Sequence, residues 1–154
     1  TKDLPEKKVN EKDILDILSK EKIGVEASKR LVVHIFHEAL CEFGQDLKHE
    51  QQLSEALADM FTYLYTSESV IYRAQQTLPP TMTTNIVRIN VTESILEINT
   101  LAIKCLNRIF SGHVPAKTLD SIRDLQKKMQ LNTDTMDLKR LLAEYILEKK
   151  VYPF

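Results

Sequence analysis

Leu53, Leu57, Met60, Leu64, Ser67, Ile71, Ala74 and Leu78 follow one another at alternating steps of four and three residues. Two such steps make seven residues, close to two turns of a 3.6-residue helix, so the whole set falls on one stripe. Ser67 is its single polar member. A stripe this long cannot stay in water, and a period-two strand would scatter it over both faces. The spacing therefore predicts a helix over residues 50–78, packed against other helices and stopped by Pro79-Pro80.

The flanking sequence supplies those partners. Only three glycines occur in 154 residues, which leaves long stretches free of helix breakers. A helix is predicted over residues 25–43, with Val33, Phe36, Leu40, Phe43 and Leu47 as its apolar face and Gly44 weakening its end. Another covers residues 82–111 and has two apolar seams. One holds Val91, Ile95, Ile98, Ala102, Cys105 and Ile109; the other, nearly opposite, holds Ile89, Leu96, Ile103 and Phe110. Such a helix either runs through the middle of a bundle or offers its second seam to something outside.

After Gly112-His113-Val114-Pro115, a helix over residues 115–130 turns Leu119, Ile122, Leu125 and Met129 one way. Asn132-Thr133-Asp134 is an N-cap cluster for a last helix over residues 134–149, with Leu138, Leu141, Leu142, Tyr145 and Ile146 on its apolar face. A short piece over residues 11–20, capped by Asn10, precedes them all. The expectation is an all-α, up-and-down helical bundle of five long helices plus a short N-terminal one. Residues 1–24 read as linker and short helix, and residues 25–154 as the bundle domain. The charged stretch up to Glu11, with Pro5, reads as a linker remnant of a longer protein.

Composition narrows the function classes. With 43% hydrophobic and 28% charged residues the chain is globular, and its formal charge of -1 gives no pull toward nucleic acid or anionic lipid. Lys7, Lys8, Lys12, Lys20 and Lys22 flank Ile14, Leu15, Ile17 and Leu18, but Glu6, Glu11, Asp13, Asp16 and Glu21 dilute that charge. A soluble connecting helix is expected there rather than a membrane-surface one. Cys41 and Cys105 both sit in helical patterns, which fits a reducing compartment.

Catalytic signatures are sparse. His34, His37, Glu38 and Cys41 share one side of their helix and could supply metal ligands, but no Glu-x-x-His pair on another helix completes a site. A polar helix face is the simpler reading. Cys41 has His37 one turn back, whereas Cys105 lies on an apolar seam and reads as core. Glycine-rich phosphate loops and nucleophile elbows are missing. Asn90-Val91-Thr92 matches a glycosylation acceptor by chance, inside a helix. Glu68 and Arg73 need partners: Tyr72 for Glu68, or Glu93 for Arg73. No catalytic, cofactor-binding or metal-binding residue is assigned.

Several segments resemble one region of a known family. Gln51-Gln52-Leu53, Ala58-Asp59-Met60, Tyr65-Thr66-Ser67-Glu68-Ser69 and Arg73-Ala74 are similar to a helix in the extra C-terminal region of very-long-chain-type acyl-CoA dehydrogenases. Ala27-Ser28-Lys29-Arg30-Leu31 and Phe43-Gly44 match the preceding helix, and residues 89–106 resemble the following one. The likeness covers roughly residues 25–150. It departs from the family at Thr66, where a small alanine is usual, and at Tyr63, Tyr72 and Leu78-Pro79-Pro80.

The resemblance implies a parent flavoenzyme that uses FAD to oxidise the Cα–Cβ bond of an acyl-CoA in fatty-acid β-oxidation. Its base would be a glutamate in a Glu-Gly-Thr segment, and this sequence has no such segment. The region seen here would then be a non-catalytic C-terminal domain that packs on the catalytic domains of the same chain and sets assembly in a homo-oligomer. Ile89, Leu96, Ile103 and Phe110 are the candidate interdomain or dimer contact. Bacterial cytoplasm is the expected location, with mitochondrial matrix as the alternative. Two other readings compete: a free-standing helical protein-interaction module, and a metal-binding bundle built on His34, His37 and Glu38.

Overall fold

The computed structural model describes residues 17–76 and 80–150. Five α-helices follow in order: α1 (Ser19–Phe43), α2 (Gln51–Ala74), α3 (Pro80–Ile109), α4 (Ala116–Met129) and α5 (Thr135–Lys149). A 3₁₀ segment, Gly44–His49, joins α1 to α2, and no strand occurs among the described residues. The fold is the all-α bundle that the periodicity predicts. The short helix over residues 11–20 lies largely outside the described residues, as do Leu78 and Pro79. Helix α1 begins earlier than predicted and runs unbroken through residues 24 and 25.

The stripe on α2 is the core of the domain. Leu53, Leu57, Met60, Leu64, Ser67, Ile71 and Ala74 are all buried. Ser67 is tolerated there because its hydroxyl donates to the Tyr63 carbonyl at 2.8 Å. The first seam of α3 is buried just as fully: Val91, Ile95, Ile98, Ala102, Cys105 and Ile109 are each at most 4% exposed. Helix α3 packs against α1, α2 and α5, and α4 packs against α1. Burying side chains of this size stabilises by roughly 1.5–3 kcal/mol each before chain entropy is counted.

Helix α1 corrects its predicted face. Val33 is 54% exposed and Leu40 43%, with Phe36 also exposed; Phe43 and Leu47 are only part-buried. The buried side carries Gly24, Val25, Ala27, Ser28, Leu31, Val32, Ile35 and Ala39. Small residues won because they let the backbones approach closely. A Cβ on Gly24 would stand 2.9 Å from the Ile95 Cδ1 of α3, and the Leu131 methyls lie 3.8 and 3.9 Å from the same point.

The helix ends follow local chemistry. Gly44 takes a positive φ of 52°, which stops α1 where expected. Asp134 caps α5 by accepting from the Asp137 backbone N–H at 3.0 Å. Helix α5 has no fully buried residue, and its expected apolar face is half-buried along α3.

Candidate docking surface

Among the described residues, exposed apolar side chains gather on two faces of the bundle. The first belongs to α3, whose buried seam faces α1 and α2. On the other side of α3, Leu96 is 60% and Ile103 54% exposed. Ile89 and Phe110, the ends of the same predicted seam, are half-buried, and Phe110 packs against the core. The open part of that seam is therefore its middle.

The second surface lies along α1 and α2, and on α1 it takes in the face that the periodicity assigns to the core. Phe36 meets Phe61 edge to face, with ring centroids 6.0 Å apart, and Val33, Leu40 and Tyr65 are exposed on the same two helices. Lys29 and Glu68 pair at 2.8 Å between these helices. Glu68 and its hydrogen bond raise the Lys29 pKa above its ordinary value. Glu68 thus takes Lys29 rather than Tyr72 as its partner, and Glu93 takes Lys139 of α5 rather than Arg73.

The side chains singled out for chemistry are placed apart or bound up locally. His34 Nε2 is 3.8 Å from Glu38 Oε1, and Cys41 Sγ is 3.7 and 3.8 Å from the two ring nitrogens of His37. Among the described residues, no group of three or more His, Cys, Asp or Glu side chains is arranged to hold a metal ion. Cys105 is buried at 1% exposure, and desolvation pushes its thiol up to about 11. No described helix is long and apolar enough to cross a membrane.

One ion pair with a buried carboxylate was not legible from the sequence. Glu21 sits between Lys20 and Lys22 and looks like surface charge, yet its side chain is only 6% exposed. Arg88 of α3 reaches its Oε1 through Nε at 3.4 Å, while Oε2 is buried with no hydrogen-bond partner among the described residues. The available signal was spacing: Glu21 stands at three and four residues from Gly24 and Val25, on the face that packs.

Comparison with known proteins places the bundle. No curated protein matches the chain. The structure is similar to the crystal structure of an acyl-CoA dehydrogenase complexed with FAD from Bacillus anthracis, with a TM-score of 0.78 and 23% identity over 89% of this chain. The chain spans 24% of that protein's length. At that identity the likeness speaks for the fold. A sequence model of the acyl-CoA dehydrogenase C-terminal domain matches residues 27–124. That is more than half of the chain, which belongs to the acyl-CoA dehydrogenase C-terminal domain family.

Proposed function

We propose that this chain is the non-catalytic C-terminal accessory domain of an FAD-dependent acyl-CoA dehydrogenase of fatty-acid β-oxidation, in the very-long-chain-type branch. In this reading it covers the catalytic domains of its own polypeptide and sets the assembly state of a homo-oligomer. The domain of this reading, residues 25–154, also takes in Ser19–Gly24, because α1 begins at Ser19 and buries Glu21 and Gly24 in the bundle. Free thiols at Cys41 and Cys105 fit a reducing compartment, with bacterial cytoplasm preferred.

The observation that carries the reading is the open middle of the α3 seam. Leu96 and Ile103 lie on α3 outside its buried seam and are 60% and 54% exposed, with Leu96 at the edge of a cavity shared with α4. Apolar side chains two turns apart on one helix face mark a contact surface. Ile89 and Phe110 extend that face at its half-buried ends.

Flavin chemistry belongs elsewhere in the parent enzyme. One common cradle for a dinucleotide's pyrophosphate is a glycine-rich turn at a helix N-terminus. Here Gly24 is covered by Ile95, and Gly44 and Gly112 follow helix C-termini. The described residues offer no such glycine-rich cradle, and no redox step is assigned to them.

The test is Leu96→Asp with Ile103→Asp in the parent enzyme. Domain packing should loosen, read as faster proteolysis between the catalytic region and this bundle, while the 154-residue chain carrying the same changes keeps its helical signal. Unfolding of that chain would mean that the seam is core, and the docking role would be lost.

A further inference from the structure

Outside the core, α1 and α2 each carry a second row of positions at alternating three- and four-residue steps. On α1 the row is Lys22, Glu26, Lys29, Val33, Phe36 and Leu40; on α2 it is Ala58, Phe61, Tyr65, Glu68, Tyr72 and Gln75. All are exposed except Gln75, which is half-buried. Two such rows side by side, with aromatic and aliphatic residues at their middle, have the form of half a four-helix bundle.

Two contacts fix how the rows face each other. Phe36 meets Phe61 with ring centroids 6.0 Å apart, and Lys29 pairs with Glu68 at 2.8 Å. Seven residues toward the start of α1 thus correspond to seven toward the end of α2, so the helices run antiparallel and the rows keep step. The same register puts Val33 at the level of Tyr65 and Leu40 at the level of Ala58. Farther along, Lys22, Glu26, Tyr72 and Gln75 line one cleft between the two helices. The rows therefore form aligned layers over about 27 Å of helix.

The uncovered area is large enough to hold two copies together. Val33 is 54%, Phe36 37%, Leu40 43%, Phe61 42%, Tyr65 73% and Tyr72 64% exposed. With aromatic side chains of roughly 150–250 Å² each, these six leave about 600 Å² open per copy, a patch at the upper limit for a monomer. Two copies joined on this face would bury about 1,200 Å² before the polar positions are added, which reaches the range of stable interfaces. A lone partner helix would set one row against two, whereas a second copy supplies two rows of matching length.

We propose that two copies of this chain join through the α1–α2 face, about a two-fold axis parallel to these helices, as an antiparallel four-helix bundle. Each α1 then lies on the other copy's α2 in the register that α1 and α2 already share within one copy. Phe36 and Phe61 of both copies make one aromatic layer. Lys29 and Glu68 of both make a ring of alternating charge, so the layer that fixes the register is neutral and self-complementary. The inference rests on the homo-oligomer of the preceding reading and names where its copies meet, on residues separate from the α3 docking surface.

Sedimentation equilibrium of the 154-residue chain should show monomer and dimer exchanging, with a dissociation constant on the order of 10–100 μM. Tyr65→Glu alters a side chain that is 73% exposed in one copy. It should keep the helical signal and weaken the dimer at least about tenfold. Lys29→Glu and Glu68→Lys change side chains that are about half exposed, so each variant should fold and each should dimerise poorly. Mixed in equal amounts they should associate at least about tenfold more tightly than either does alone, because every contact between copies then pairs Glu with Lys. A chain still monomeric at about 1 mM overturns the proposal. So does a dimer indifferent to Tyr65→Glu, a mixture no tighter than its components, or a dimer lost through Leu96→Asp with Ile103→Asp. A dimer that survives while those α3 changes leave the parent enzyme's packing intact sinks the docking role and supports this contact.

Discussion

Gly24 of α1 and Ile95 of α3 fix how closely the two helices approach: a Cβ at position 24 would lie 2.9 Å from the Ile95 Cδ1. Gly24→Ala should be nearly neutral, because that methyl can rotate aside and alanine gains about 1 kcal/mol of helix propensity. Gly24→Leu has no such escape, with Leu131 already against the same spot. It should cost roughly 1–3 kcal/mol in urea denaturation.

Arg108 holds the end of α3 to the start of α2. Its Nε and one terminal nitrogen meet the two oxygens of Glu50 at 2.9 and 2.7 Å, and its guanidinium lies 5.1 Å over the Phe43 ring. Lysine can reproduce neither the fork nor the stacking. Arg108→Lys should therefore lose about 0.5–1 kcal/mol, and a double-mutant cycle with Glu50→Gln should return a coupling of similar size. Because the pair is half-exposed, added salt should reduce that coupling.

The two thiols should differ in reactivity and in their effect on stability. Cys105 is buried and its pKa rises from 9.0 to about 11, while Cys41 is exposed. At pH 8, iodoacetamide should label Cys41 and spare Cys105 in the folded chain. The native state holds the Cys105 proton more tightly than the unfolded chain does. Its contribution is therefore fully present below pH 9 and is lost as pH rises toward 11. Cys105→Ala should flatten that alkaline decline, measured by urea midpoints between those two pH values.

The Asp134 cap tests the attachment of α5, which buries no residue completely. Asp134→Ala removes the acceptor for the Asp137 N–H and should cost about 1 kcal/mol. Amide exchange should accelerate most in the first turn of α5 and much less in α2.

What the sequence made legible follows from side-chain size. The α2 stripe and the first α3 seam are nearly all large apolar residues, so periodicity alone identified them. The α1 packing face is Gly24, Ala27, Ser28 and Ala39 among larger neighbours, and a reading that weights bulk turned instead to Val33, Phe36 and Leu40. Those three are exposed beside Phe61 and Tyr65, a consequence of which side of α1 faces α3. The Leu96 and Ile103 surface was visible as a second period on one helix. Burial of Glu21 and Thr92 was not, because it depends on how α1, α3 and the α4–α5 connection meet.

The central claim is that the α3 surface is covered in the parent enzyme. Hydroxyl-radical footprinting compares Leu96 and Ile103 in the 154-residue chain and in the proposed parent enzyme. The account predicts oxidation of both in the chain alone and strong protection in the enzyme. Equal oxidation in the two samples would contradict it.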